Sequence, residues 1–500
     1  MTSRSWFAKL FLVSIAAALC GVGARAQQAP DAAKAAWGFD RSDLTPHPGV
    51  RFGVLANGMR YALMRNGAPT GSLSVRLRID AGSTVEGARE HGFMHLLEHL
   101  VFHGSANLPK GALLLMLPHQ GLKRWSDFNG FTGYDETVYR LDLSRADRGA
   151  RQTALMLMRE VASHLRFERT IVAGAKEMVR QEIQGRDAVQ DAILDAQNAF
   201  FAPGSPIARG FAGTEASIKK ASGSALRGLY QRHYVPGRST LVLVGDFDPA
   251  VVEAEIAARF SDWRAGTTAG AALSRASILT TRGTETHLFI DPAAPTSVTI
   301  AAVEALGAAD AGAGRDAAFL AHLGTEMLNR RLTTIAAAAD APFVNASAAI
   351  YDHFATARMA RIDVEARDRD WRGALQAGAR ALRNARDKGF SQTELDAQLA
   401  ISRGALAGAA APRTSAMLAD AAIDAVGRKI VFTAPADASI SAAYLARIQL
   451  AQVNAAFRAA WANQNRLIFV SHAERVPDGK SAIAAAWSEV HARLPQLGGE

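Results

Sequence analysis

Ala68-Pro69-Thr70-Gly71-Ser72-Leu73-Ser74-Val75-Arg76-Leu77-Arg78-Ile79-Asp80 decides the architecture, because it holds a strand whose pattern the chain repeats. Leu73, Val75, Leu77 and Ile79 alternate with Ser74, Arg76 and Arg78, the period of a half-buried strand. The pattern returns where Ala294-Pro295-Thr296 precedes Val298-Thr299-Ile300, at an offset of 226 residues. The same offset relates Leu241-Val242-Leu243-Val244, ending at Gly245-Asp246, to Leu467-Ile468-Phe469-Val470, ending at Ser471-His472. Both follow helical stretches with paired aromatics, Tyr230 and Tyr234 in one, Phe457 and Trp461 in the other. Two matches at one offset point to an internal duplication. Strand-like segments at 51–65, 72–80, 137–142 and 240–245 are separated by long helical patterns. The turn dipeptides Asn57-Gly58 and Asn66-Gly67 place an antiparallel hairpin at the start. The expected fold class is α+β: two homologous α/β sandwich domains, each a mostly antiparallel sheet packed with helices. Their expected extents are 45–264 and 285–500, joined by a linker over 265–284 in which Gly, Ala, Ser and Thr dominate.

Met1 to Ala26 has a basic start (Arg4, Lys9), an apolar run from Leu10 to Ala18 and the small-residue end Ala24-Arg25-Ala26, the pattern of a cleaved secretory signal. Residues 27–44 are then an N-terminal extension. The single cysteine, Cys20, falls inside the signal, so the exported chain would rely on core burial rather than disulfides. Removing Arg4, Lys9 and Arg25 lowers the formal charge from +9 to +6. The remaining Lys and Arg residues are dispersed, often beside acids, which argues against a nucleic-acid partner. No later apolar run reaches the length of a membrane span, so the expected location is the periplasm.

Gly92-Phe93-Met94-His95-Leu96-Leu97-Glu98-His99-Leu100 carries the chemistry. On a helix, His95 and His99 are four apart and point the same way, which lets two imidazoles share one zinc ion. Glu98 beside them can take a proton from a metal-bound water. This is His-x-x-Glu-His, the inverse of the commoner zinc-peptidase order. Leu96, Leu97, Leu100, Val101 and Phe102 make the helix largely buried, where unpaired His and Glu would be costly; metal binding is therefore a stronger reading than a solvated polar face. His91 and His103 extend the spacing but fit supporting or surface roles. A catalytic zinc takes three protein ligands and keeps one position open. Lys176-Glu177-Met178-Val179-Arg180-Gln181-Glu182-Ile183 offers two acids for the third, with Met178 and Val179 expected to face the core; the pattern does not choose between Glu177 and Glu182.

These residues resemble the insulinase/pitrilysin family of inverzincin peptidases, which includes the mitochondrial processing peptidases. The resemblance runs through Leu55-Ala56-Asn57-Gly58-Met59, Gly82-Ser83 and Glu86 ahead of the motif, and Phe102-His103-Gly104-Ser105 after it. It continues in Asn129-Gly130-Phe131-Thr132, Asp135-Glu136-Thr137-Val138-Tyr139, Tyr234-Val235-Pro236 and Val244-Gly245-Asp246-Phe247. It implies that Glu182 is the third zinc ligand, and that Asn129 and Thr132 lie beside a bound peptide at a strand edge. It also implies a supporting glutamate seven residues before the ligand, where this chain has Ala175.

The second domain is similar to the family's non-catalytic repeat through Leu328-Asn329-Arg330-Arg331-Leu332 and Ala341-Pro342-Phe343-Val344. Relatives add an arginine and a tyrosine from a distant repeat; the aligned positions here fall near Ala337 and at Phe343, which cannot stabilise an oxyanion. The expectation is therefore a zinc endopeptidase acting on peptides or unfolded segments, completed by a homologous partner subunit or a second copy of this chain. The rival readings are a non-hydrolytic peptide-binding or scaffolding subunit, and a metal carrier or sensor.

Overall fold

The computed structural model describes residues 31–109, 127–266, 278–306, 312–353, 357–408, 412–433, 441–463 and 465–491. The expected export signal with Cys20, and residues 267–277 of the expected linker, lie outside them. In the first half the strands are β1 (Val50–Val54), β2 (Arg60–Arg65), β3 (Leu73–Ile79), β4 (Phe128–Thr132), β5 (Thr137–Leu143) and β6 (Ser239–Gly245). Helices α1 (Asp31–Trp37), α2 (Phe93–Leu100), α3 (Arg148–Ser163), α4 (Arg169–Gly185), α5 (Ala188–Phe201), α6 (Glu215–Lys220), α7 (Gly223–His233) and α8 (Pro249–Phe260) accompany them. The second half carries β7 (Thr284–Ile290), β8 (Ser297–Ala305), β9 (Phe343–His353), β10 (Ala357–Ala366) and β11 (Arg466–His472). Its helices are α9 (Gly312–Ala336), α10 (Trp371–Asp387), α11 (Gln392–Gly408), α12 (Ser415–Arg428), α13 (Ala442–Ala446), α14 (Leu450–Ala460) and α15 (Gly479–His491).

The strand orders are β1-β2-β6-β3-β5-β4 and β7-β11-β8-β10-β9. Apart from β1, each strand has a counterpart in the other sheet, and in both sheets the last strand in sequence runs parallel to one neighbour and antiparallel to the other. The duplication is thus present in topology. Its register, however, differs from the 226-residue match. Leu73 faces Gly245 in the first sheet and Val298 faces Val470 in the second, a step of 225 for both strands. At 225, Leu73, Val75 and Leu77 correspond to Val298, Ile300 and Ala302, all on the side covered by their own half's helices. At 226, Leu241 and Leu243 would fall on Leu467 and Phe469, which point to the opposite face. A one-residue slip reverses every side chain of a strand. The sequence match concealed it because both sheets are covered on both sides, leaving β6 and β11 apolar on both faces.

The second covering layer is exchanged between the halves. Helix α12, from the second half, packs Leu418, Ala419, Ala422 and Ile423 against Val50, Phe52, Ala62, Val138, Val242 and Val244 of the first sheet. Helix α5, from the first half, packs Ile193, Phe200 and Phe201 against Ala301, Val303, Met359, Leu467 and Phe469 of the second. Both helices start cleanly: Asp187 accepts the N–H groups of Val189 and Gln190, and Thr414 accepts that of Met417. The exchange corrects the reading of β3 as half-buried. Ser74, Arg76 and Arg78 lie beneath α12 and are all but inaccessible. Arg76 is paired with Asp142 at 2.9 Å and Asp420 at 2.7 Å, and Arg78 with Asp80 and Glu136. Without these partners, burying the two guanidinium groups would be prohibitive.

The Asn57-Gly58 turn closes the β1–β2 hairpin, with Gly58 at φ +90°. Asn66-Gly67 does not close a second one, because β6 inserts between β2 and β3. Ile278, in the expected linker, is buried with the α5 cluster, and Thr284 already opens β7. Among the described residues no helix is long and apolar enough to cross a membrane.

Candidate metal centre

Helix α2 begins at Gly92, whose φ of +80° suits glycine and whose Cα face lies so close to Gly213 that a Cβ would stand 2.5 Å from the Gly213 Cα. The carboxylate of Glu86 closes this end by accepting the N–H groups of Gly92 at 2.9 Å and Met94 at 2.7 Å. Burial pushes the Glu86 carboxyl up to about 8, outweighing those two donors.

One turn further on, His95, Glu98 and His99 are each about 5% exposed. The Nε2 atoms of His95 and His99 stand 3.1 Å apart. Glu182, reaching in from the last turn of α4, places Oε2 3.4 Å from His95 Nε2 and 3.3 Å from His99 Nε2. A tetrahedral zinc at about 2.0–2.1 Å from each ligand keeps ligand atoms about 3.3–3.4 Å apart, so these three residues fit the ion in chemistry and spacing. Glu177 does not reach the histidines. It lies about 140° around the helix from Glu182 and bonds Arg180 and Gln181 in the solvent. Val179 faces the core as expected, while Met178 is half-buried with its sulfur 2.8 Å from His103 Nε2.

The surroundings orient these side chains. His95 Nδ1 lies 3.3 Å from the Ala212 carbonyl, which places its proton on Nδ1 and leaves the Nε2 lone pair for a metal. His99 Nδ1 is buried and meets no hydrogen-bond partner among the described residues. Burial alone would raise the Glu182 carboxyl, but the two imidazoles and Arg186 hold it well below the usual carboxylate range. Burial disfavours the charged form of His95, and the carboxylates of Glu182 and Glu98 outweigh it, raising the His95 value.

Glu98 is held from the neighbouring strand. Thr132 Oγ1 donates to Glu98 Oε2 at 3.1 Å, and a Cβ on Gly130 would come within 2.6 Å of Glu98 Oε1. The Glu98 side chain, as placed, therefore fits only above a glycine. The Thr132 side chain is buried against Glu98, and Asn129 Oδ1 accepts the Gly130 N–H. Strand β4, which carries all three residues, is the outermost strand of its sheet, with no described strand on its far side. Of the outer histidines, His103 packs against α4 as described above, and His91 Nε2 finds no partner among the described residues. Phe343 is wholly buried in the second core, away from any role at this centre.

Sequence reasoning did not assign roles to Glu86, Gly130, Ala212 or Arg186. Only Arg186 had a readable signal, its four-residue spacing from Glu182. Gly130 and Ala212 act through contacts between distant segments, and Glu86 by capping a helix a few residues further along the chain.

Residues 61–209 match the family model described as insulinase (peptidase family M16), and 220–401 match the model of the M16 inactive domain. The chain belongs to the insulinase family of peptidases. A probable zinc protease, PqqL, of Haemophilus influenzae is 30% identical over 202 residues, 40% of this chain and 22% of that protein. PqqL of Escherichia coli is 29% identical over 202 residues, 39% of this chain and 21% of that protein. The chain thus matches less than a quarter of these relatives' length. Among family structures, the first half of the E. coli periplasmic protease PqqL superposes with a TM-score of 0.77 at 20% identity, covering 91% of this chain and 99% of that one. Against a second structure of the E. coli periplasmic protease PqqL the TM-score is 0.78 at 20% identity, covering 91% of this chain and 51% of that one. These structural matches establish the shared family fold.

Proposed function

We propose that this chain is the zinc-bearing part of an exported endopeptidase that hydrolyses peptides or unfolded polypeptide segments. The observation that carries the reading is the meeting of His95 Nε2, His99 Nε2 and Glu182 Oε2 at 3.1–3.4 Å, with Glu98 on the same helix as the two histidines. When bound, zinc polarises the scissile carbonyl and lowers the pKa of water toward about 7. Glu98, anchored by Thr132, takes the proton from the attacking water and later returns it to the leaving amine. The outer edge of β4, beyond which no described strand lies, would offer backbone donors and acceptors to an extended peptide, placing its carbonyl beside Glu98; Asn129 and Thr132 lie on that strand.

Export to the periplasm rests on the pattern of residues 1–26 and on the periplasmic PqqL structures. A partner fits Phe343, which stands where the resemblance expects a tyrosine and cannot stabilise an oxyanion. The partner would be a homologous subunit or a second copy supplying oxyanion stabilisation, with residues 45–264 acting as the catalytic domain and 285–500 as its non-catalytic companion.

The test is zinc content together with cleavage of a quenched-peptide library, for the wild type and Glu98→Gln. The expected outcome is about one zinc per chain in both proteins, with turnover in the variant reduced by about 10³-fold. Zinc without cleavage in either protein fits a peptidase lacking its partner as well as a peptide-binding scaffold or metal carrier. Absence of zinc from both would refute the site.

A further inference from the structure

We propose that Arg186 is a positioning residue for the metal, holding the outer oxygen of Glu182 so that only the inner oxygen faces His95 and His99. This deepens the zinc-site reading above and rests on it. Arg186 Nη2 donates to Glu182 Oε1 at 2.5 Å, while Glu182 Oε2 is the atom near both imidazoles. The two carboxylate oxygens therefore have separate partners, which favours one-oxygen ligation in a tetrahedral set.

The need for such a restraint follows from where Glu182 stands. It lies in the last turn of α4 and its side chain is 40% exposed, so left alone it would sample several rotamers. Its helix offers no other carboxylate from the position two turns back, because Ala175 is a fully buried methyl group. His95 is oriented by Ala212, but His99 Nδ1 has no partner among the described residues. Among the described residues, Arg186 is the partner that holds the Glu182 oxygen turned away from the histidines.

Arg186 is itself well fixed. It is the C-cap of α4, only 25% exposed, and its successor Asp187 caps α5, the helix seated on the second half's sheet. The exchange of helices between the halves thereby sets the backbone from which the guanidinium reaches. A guanidinium near a dication also repels it. The intervening carboxylate screens that repulsion, and loss of an outer partner of a metal ligand typically weakens binding by about 10–100-fold.

The experiment measures zinc affinity of the whole chain against a chromophoric chelator, for the wild type, Arg186→Met, Arg186→Lys and Glu182→Ala. Arg186→Met is expected to bind zinc about 10–100-fold more weakly, with Glu182→Ala weaker still. Arg186→Lys, which keeps the charge but not the planar fork, should recover part of the loss. The melting temperatures of the metal-free Arg186 variants should match the wild type, because a partly exposed ion pair contributes little to folding. Binding by Arg186→Met within twofold of wild type, or tighter, overturns the proposal while leaving the zinc site standing. A wild type that does not bind zinc would instead overturn the site and this role with it.

Discussion

The two halves share a rung of their sheets that shows how one became a site and the other a support. In the first half the rung runs Leu77, Tyr139, Gly130; in the second it runs Ala302, Ala360, Ile350. Gly130 has no side chain, and the space above it is occupied by Glu98. At the matching position the second half places Ile350, packed against its own core. One frame therefore holds a buried carboxylate where the outermost strand is bare and an ordinary apolar contact where it is not. The helices over these strands differ in the same sense. Helix α2 is eight residues long and buries two histidines and a glutamate, whereas α9 runs for 25 residues and packs an apolar face.

The largest effect is expected where the halves depend on each other. Phe201 is 2% exposed, belongs by sequence to the first half and packs on the second sheet. Phe201→Ala should cost about 3–5 kcal/mol. Because α5 links the halves, urea melts of the variant should keep one unfolding transition at a lower midpoint. Two separated transitions already in the wild type would show that the exchange does not couple them.

Transferring a side chain to the bare rung comes next. Gly130→Ala is expected to displace Glu98 and lower kcat/KM by about 10²-fold with zinc content unchanged. Wild-type kcat/KM in that variant would mean the glycine is not needed by the base. The opposite change, Ile350→Ala, should cost about 1–2 kcal/mol, the low end for a residue only partly buried, and leave cleavage intact. A loss of cleavage without a loss of stability would give the second half a direct part in catalysis.

The smallest effect concerns Glu86 at the start of α2. Its carboxyl is raised from 4.5 to about 8, so the folded state favours the protonated form. The stability it contributes is full below about pH 4.5 and is lost as the pH rises toward about 8. Glu86→Gln does not titrate, so its melting temperature relative to the wild type should rise over that interval in metal-free protein. A difference independent of pH would show that Glu86 is not raised.

The helical spacing of His95, Glu98 and His99 was legible because it is local: a four-residue repeat places two side chains together whatever the rest of the chain does. The duplication was legible for a related reason, since strands in equivalent places keep similar apolar composition. Which way β6 and β11 face was not, because helices from the opposite half cover the second side of each sheet and leave those two strands without the polar alternation that would have marked it. The residue pattern alone left Glu177 and Glu182 open, with only the family resemblance pointing to Glu182, and it gave no sign that Arg76 and Arg78 would be buried. Only the folded chain brings Glu182 to the histidines, Ala212 to His95 and Gly130 beneath Glu98, because each contact joins segments more than thirty residues apart whose meeting depends on the closure of the whole sheet.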